Sequence, residues 1–265
     1  MWHVRRWSWV AVLVVGGVLF ELIRRGIVET GNPNLVPALI LLGAAVIPAA
    51  FVSFIAGRRM VFAVSSGTVL VTGLIGGVIG VVTAGVLEYD TLRRLGALPM
   101  LGVGLIEEFA KLIVPAAMLL VIRRDRHPAD GLLLGVASGA GFAVLETMGY
   151  AFVVLIQSRG NLTVVDDVLF SRGILSPAAH MAWTALAAAA LWSAAGEHWH
   201  RRALLRFVAA YAVVVGLHTV WDLSGSTTAY VVLALISLAL LAVTSHRLAA
   251  PHRRRAVLRP AAVPV

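Results

Sequence analysis

The chain has 265 residues, of which 60% are hydrophobic and 13% charged, and its mean hydropathy is +0.91. Soluble domains are only about 45–50% apolar and roughly twice as rich in charge, so this chain cannot cover itself with polar surface in water. The absence of cysteine excludes disulfides, thiol nucleophiles and thiolate metal sites. A formal charge of +9 first suggests nucleic-acid binding. The arginines, however, lie in pairs between hydrophobic segments, where membrane topology explains them better, so we expect no nucleic-acid partner.

Eight hydrophobic stretches are long enough to cross a bilayer as helices, which takes about 20 residues each. In chain order they cover residues 7–23, 35–56, 61–87, 98–122, 131–156, 174–195, 203–223 and 229–246. The first follows two arginines, as a signal peptide would, but no small-residue cleavage pattern follows it, and we interpret it as an uncleaved helix. The sequence therefore predicts an all-α, polytopic transmembrane helix bundle of about eight helices in the lipid bilayer.

Arginines are distributed unequally between the two sides of this predicted bundle. Fifteen fall on the side that holds both termini and six on the other side. Because arginine-rich loops stay in the cytoplasm, we expect a multi-pass protein of the cell membrane with cytoplasmic N- and C-termini. The loop 157–173 is then expected outside.

The distribution of ionisable residues divides the chain further. Residues 1–97 hold three N-terminal helices, 98–223 a four-helix catalytic core, 224–248 the last transmembrane helix and 249–265 a basic cytoplasmic tail. We interpret the tail as disordered chain resting on anionic lipid.

Only spans four to seven carry ionisable residues near mid-depth. These are Glu107, Glu108 and Lys111, then Glu146, then His180, and finally His218 with Asp222. Each such group costs about 2.5–3.5 kcal/mol even on a lenient insertion scale, so the groups are expected to face one another. At 1.5 Å per residue, the polar residues of all four helices lie roughly 7–15 Å from the outer ends. Antiparallel helices thus bring them into one layer, which predicts a single site.

Local spacing supports convergence of these residues. Glu107 and Lys111 are four residues apart and share a helix face, as do His218 and Asp222. On the fifth span Gly135 and Gly139 share a narrow arc with Glu146, so a neighbouring helix can approach closely on that face.

Each residue also has a simpler interpretation. Glu107 and Lys111 taken alone could form a structural ion pair, and either histidine alone is more often a satisfied interior residue than a ligand. Trp183 and Trp221 are interpreted as packing or interface residues rather than site residues. Arg172 is interpreted as an interfacial anchor, and the glutamates near helix ends, Glu21 and Glu88, as interfacial.

Four motifs of this region resemble the PrsW family of intramembrane proteases, which is distantly related to the CAAX prenyl endopeptidases. They are E-E-x-x-K over 107–111, F-A-x-x-E over 142–146, Arg172 with the 176–184 segment around His180, and H-x-x-x-D over 218–222. The resemblance covers about residues 98–223. Thr147 departs from the family pattern, which commonly has Asn after the second glutamate. The resemblance implies a membrane-anchored protein substrate, with anti-sigma factors cut on their extracytoplasmic side as the known type.

Peptide hydrolysis needs an activated water and a stabilised oxyanion. Glu107 or Glu108 is the expected general base, and Asp222 is expected to orient His218. His180 and His218 are placed either to stabilise the oxyanion or, with Glu146, to bind a metal such as zinc. The sequence lacks H-E-x-x-H, so zinc stays one of two alternatives.

Two other classes of function are compatible with buried charges. A small proton-coupled transporter also uses intramembrane carboxylates, although no inverted repeat is visible and the polar layer lies toward one face. A catalytically inactive scaffold or immunity-like protein is the third hypothesis. Retention of every candidate catalytic group favours the protease.

Overall fold

The computed structural model describes residues 6–58, 60–122 and 126–257, which include nine α-helices and no strand. The helices are α1 (Ser8–Thr30), α2 (Val36–Ala56), α3 (Ser66–Leu95), α4 (Met100–Val121), α5 (Pro128–Gln157), α6 (Leu162–Leu175), α7 (Ala182–Gly196), α8 (Arg201–Leu223) and α9 (Thr227–Val257). A single 3₁₀ turn, Pro33–Leu35, precedes α2. The predicted all-α polytopic bundle is confirmed.

Six helical segments of the described chain are long and apolar enough to cross a membrane. They correspond to the second, third and fifth to eighth predicted spans. The other two predicted spans are also helices, α1 with 23 residues and α4 with 22. Both contain several charged residues: Glu21, Arg24, Arg25 and Glu29 in the second half of α1, and Glu107, Glu108 and Lys111 in the middle of α4.

Two predicted boundaries are wrong. Residues 157–173 are not a loop, because α6 begins at Leu162 and continues through a distorted turn into α7, so that Leu162–Gly196 forms one 35-residue helical segment. The last helix continues to Val257, well beyond the predicted end at 246. Residues 258–265 of the predicted tail lie outside the described residues, as do Arg5, Arg59, Arg123 and Arg124, which were counted for the orientation.

Helix α5 is the centre of the bundle, with α7 packed on one side and α3 on the other. Close approach depends on glycine at both faces. A Cβ at Gly139 would lie 2.5 Å from the carbonyl oxygen of His180, and a Cβ at Gly141 would clash with the carbonyl of Gly73 in α3. The predicted small-residue face of α5 is therefore confirmed, and it points toward the segment that carries His180.

The turn between α6 and α7, Pro177–Met181, is π-helical. Pro177 has no N–H and cannot donate a helical hydrogen bond. The amide of Met181 donates to the carbonyl of Ser176, five residues earlier, at 3.2 Å. Ala179 has non-helical angles of φ −105° and ψ −107°. Such π-bulges concentrate at functional sites because they redirect side chains. Here the turn carries His180.

Both ends of the described chain lie at one end of the bundle. The start of α1 and the segment Ser245–Ala249 of α9 line a common cavity with the end of α2. Nearby, Asp130 at the start of α5 fixes the connector between α2 and α3, because its Oδ1 accepts the amides of Ala63 and Val64 at 2.8 and 3.2 Å. The described chain therefore crosses the bundle an even number of times.

Candidate active site

The ammonium group of Lys111 is the centre of the polar cluster. It lies 2.7 Å from Glu108 Oε1, 3.2 Å from Glu107 Oε2 and 2.9 Å from His180 Nδ1. Phe142 covers it from α5, with the ring centroid 4.5 Å from Nζ. Lys111 is fully buried, and a buried ammonium is stable only when its donors are satisfied in this way.

The backbone of α4 is adapted to hold this lysine. Pro115 has no N–H, so the carbonyl of Lys111, four residues earlier, has no intrahelical donor. The hydroxyl of Ser138 in α5 donates to that carbonyl at 2.7 Å. Trp192 of α7 likewise donates its indole N–H to the carbonyl of Pro115 at 3.0 Å. These two bonds fix α4 against its neighbours at the level of the cluster.

His218 of α8 joins the cluster between three carboxylates. Its Nδ1 lies 2.8 Å from Glu108 Oε1, and its Nε2 lies 3.2 Å from Asp222 Oδ2 and 3.6 Å from Glu107 Oε2. Both ring nitrogens thus face negatively charged oxygen, which matches an imidazolium that donates from both sides. Asp222 is thus close enough to His218 for the orienting role expected of it, and that role stays a prediction.

A second ion-pair group surrounds Glu146. Its Oε2 lies 2.8 Å from Arg172 Nη2 and 3.1 Å from His180 Nε2. Arg172 also approaches the hydroxyl of Thr147, with Nε 3.4 Å from Oγ1, and its guanidinium stacks 4.0 Å from the Tyr150 ring centroid. Thr147 therefore keeps a polar role where the family commonly has Asn.

His180 connects the two groups, and its contacts define its tautomer. A lysine ammonium donates and cannot accept, so His180 Nδ1 accepts from Lys111. The proton of the neutral ring is then on Nε2, which faces Glu146. The ring lies between Phe142 and Trp183, with centroid distances of 5.5 and 6.0 Å.

The tryptophans are packing residues, as predicted. Trp183 is completely buried, its indole N–H donates to Ser237 of α9 at 2.9 Å, and its ring lies 5.0 Å from the ring of His218. Trp221 packs against Trp183 edge to face, with centroids 5.8 Å apart. Together they hold His218 in place.

Exposure increases from the centre of the cluster to one side. Glu108 and Lys111 are fully buried, the side chain of Glu107 is 12% exposed, and those of Asp222 and Arg172 reach 27% and 29%. Within the cluster, three buried carboxylate oxygens lack an aligned hydrogen-bond donor from the described residues: Glu107 Oε2, Glu108 Oε2 and Glu146 Oε2. For Glu107 and Glu146 these oxygens are close to cations, but the approach is not aligned for a hydrogen bond.

All seven predicted site residues meet in this cluster. Two residues have a larger part than expected. Arg172, which belongs to the third motif but is interpreted from its position as an interfacial anchor, pairs with Glu146. Glu88 of α3 is not simply interfacial, because its Oε1 is buried without a hydrogen-bond partner in the described chain. The predicted depth of Glu88 could have indicated it, because Glu88 lies near the outer end of the third predicted span and the other site residues lie toward the outer ends of their own spans.

The donor set does not fit a metal in this arrangement. Within the described ranges no group of three or more His, Asp or Glu side chains is arranged to hold a metal ion. Both nitrogens of His180 and both of His218 already contact an ammonium or a carboxylate. The position at which Glu107, Glu108 and His180 converge is taken by the Lys111 ammonium. The zinc site expected from His180, His218 and Glu146 stays a prediction that this arrangement does not support.

Comparison with known families gives one match. Residues 56–245 match the model of the PrsW family intramembrane metalloprotease. The chain belongs to the PrsW family. No curated protein and no solved structure matches it. The PrsW match includes α3 to α8 and every residue of the cluster. The chain is therefore a multi-pass membrane protein and an intramembrane peptidase.

Proposed function

We propose that this PrsW protein hydrolyses a peptide bond of a membrane-anchored protein near the extracytoplasmic side, with water activated by a glutamate. The observation that carries the proposal is the pair Glu107 and Glu108, which share one ammonium but differ in access. A general base needs a free oxygen beside water, whereas a positioning carboxylate does not.

Glu107 is the proposed general base. Its Oε2 is buried 3.2 Å from the Lys111 ammonium and 3.6 Å from His218 Nε2, while its side chain as a whole is 12% exposed and reaches the more exposed side of the cluster, where water can meet it. Water bound there would transfer a proton to Glu107 as it attacks the carbonyl carbon. Glu108 is completely buried between Lys111 and His218. We propose that it positions both, and acts on the reaction through them.

Stabilisation of the tetrahedral oxyanion needs donors at the exposed side of the site. Arg172 is the most exposed cation of the cluster and presents five N–H donors, of which Nη2 and Nε are engaged with Glu146 and Thr147. His180 adds its Nε2–H beside Glu146. We propose that Arg172 and His180 bind the developing oxyanion, and that Glu146 holds both in position.

The substrate class follows from the location of the site. The cluster lies among membrane-spanning helices, so a substrate must present its scissile bond at that depth, as a membrane-anchored protein does. The predicted cytoplasmic termini place the site in the outer half of the bilayer. An anti-sigma-factor-like substrate, implied by the family resemblance, is part of this proposal.

Cleavage of a single-span test protein in proteoliposomes tests the proposal. We expect the wild-type chain to release a soluble fragment whose new end maps near the extracytoplasmic end of the substrate helix, and Glu107→Gln to release it at a rate at least about 10²-fold lower. Glu21→Gln is the matched control, because Glu21 pairs with Arg24 and Arg25 outside the cluster. Equal cleavage by Glu107→Gln would contradict the glutamate mechanism. Proton-coupled flux without cleavage would favour the transporter hypothesis instead.

A further inference from the structure

A basic cavity lies between the start of α1, the end of α2 and the C-terminal part of α9. Its volume is about 390 Å³, within the size range of small-ligand pockets. Arg6, Arg58 and His246 line it together with Trp9 and Phe54. No carboxylate contributes to its lining, so its cationic side chains have no internal counter-charge.

The contacts of the two arginines leave their charge available. Arg6 stacks on the Trp7 ring at 5.8 Å and Arg58 on the Phe54 ring at 5.3 Å. Neither forms an ion pair with a carboxylate among the residues that the structure describes. Aromatic stacking holds a guanidinium in place while its N–H edge stays open to an anion.

A buried hydroxyl in the same cavity also lacks a partner. Ser245 is 4% exposed, and its Oγ has no hydrogen-bond partner in the described part of the chain. Buried polar atoms are nearly always hydrogen-bonded, and a serine hydroxyl donates readily to a phosphate oxygen. The cavity therefore combines cations, an unpaired donor and aromatic rings at the end of a membrane bundle.

We propose that this cavity binds the phosphate headgroup of an anionic phospholipid. Basic pockets between transmembrane helices select such headgroups, and tryptophan rings favour the bilayer interface where headgroups lie. The bound phosphate would join α1 and α2 to α9, which is distant from both in sequence. The site is distinct from the catalytic cluster and does not depend on the proposed function.

Native mass spectrometry of the detergent-solubilised full chain tests the site. We expect one phosphatidylglycerol molecule to be retained in preference to phosphatidylcholine. The double variant Arg6→Gln, Arg58→Gln should bind it about thirtyfold more weakly, since each arginine near an anionic lipid contributes a factor of about five. The control Arg201→Gln, Arg202→Gln removes the same charge from exposed positions outside the cavity and should retain the lipid.

Two further measurements are needed. One distinguishes binding in the cavity from attraction to the overall positive charge, and the other distinguishes a lipid site from a site for any free anion. Ser245→Leu removes the hydroxyl and fills the cavity without changing charge, and we expect it to lose the lipid as well. Equal retention by the wild type, the Arg6/Arg58 variant and Ser245→Leu would overturn the proposal. Displacement of the lipid by inorganic phosphate at an equal concentration would also overturn it, because it would show a free-anion site.

Discussion

The ammonium of Lys111 lies 2.9 Å from Nδ1 of His180, although the two residues belong to different helical segments. This contact makes Nδ1 an acceptor and leaves the ring proton on Nε2, beside Glu146. A lysine of the first motif thereby sets the protonation pattern of a histidine from the third.

Removal of the Lys111 ammonium should convert the cluster into a metal site. Lys111→Ala frees Glu107, Glu108 and His180 Nδ1, which are three donors of the kinds that zinc binds. We expect the wild-type protein to hold no stoichiometric zinc after incubation and desalting, and Lys111→Ala to retain zinc by elemental analysis. Lys111→Arg keeps the positive charge and should stay metal-free. Stoichiometric zinc in the wild type that disappears in His218→Ala would contradict this expectation and restore the metal hypothesis.

Substitution of the two adjacent glutamates should affect cleavage and stability differently. Glu107→Gln should lower the cleavage rate about 10²–10⁴-fold, the usual contribution of a general base, while the melting temperature in detergent stays close to that of the wild type. Glu108→Gln should be inactive and also less stable, because a buried charge left without its partner costs about 3–5 kcal/mol. Cleavage assays and thermal unfolding of both variants separate the effects. Identical profiles for the two variants would contradict the division of roles.

His180→Ala should abolish cleavage without preventing expression, because it removes a proposed oxyanion donor. The same variant removes a partner of Glu146 but leaves Arg172 in place. We therefore expect the folded protein to be recovered in detergent at near wild-type yield. Full cleavage by His180→Ala, Glu107→Gln and Glu108→Gln together would contradict the protease mechanism.

Glycine at 139 should be required for assembly of the site. In Gly139→Ala the new methyl would press on the backbone of His180, and overpacking of this kind costs about 1–3 kcal/mol. Gly149→Ala on the same helix has no atom within 4 Å of the new methyl, so we expect it to be neutral or slightly stabilising. Thermal unfolding and cleavage of the pair measure the difference. A Gly139→Ala protein as stable and active as Gly149→Ala would contradict the packing argument.

Thr147 should act through its hydroxyl. Thr147→Val keeps the shape and removes the acceptor for Arg172, so we expect weaker cleavage, whereas Thr147→Asn restores an acceptor and should stay active. The readout is the ratio of kcat to KM for a test substrate, since Arg172 is proposed to act on the oxyanion. Full activity in Thr147→Val would mean that the 3.4 Å contact between Arg172 Nε and Thr147 Oγ1 does not contribute to cleavage.

Much of the site could be predicted because a charge in hydrocarbon is so costly. The depths of Glu107, Glu146, His180 and His218 agree along the sequence, and the structure brings these residues together. Depth does not define the direction in which a side chain points, which is why Arg172 and Glu88 were assigned to the interface. Helix α6 was missed because Asp166, Asp167 and Arg172 lower the local hydropathy to that of a loop. The contacts of Lys111 also depend on three helices meeting, which no single-helix pattern contains.

The composition of α4 has a consequence for how the protein enters the membrane. Of the four helices of the core, α4 carries the most ionisable residues near mid-depth, yet Glu107, Glu108 and Lys111 obtain His180 and His218 as partners only from segments synthesised later. Until α8 emerges, α4 holds charges that cost several kcal/mol in lipid. We expect α4 to stay loosely inserted until the rest of the core arrives. Truncation of the chain before residue 201 should then leave α4 accessible to water-soluble labels.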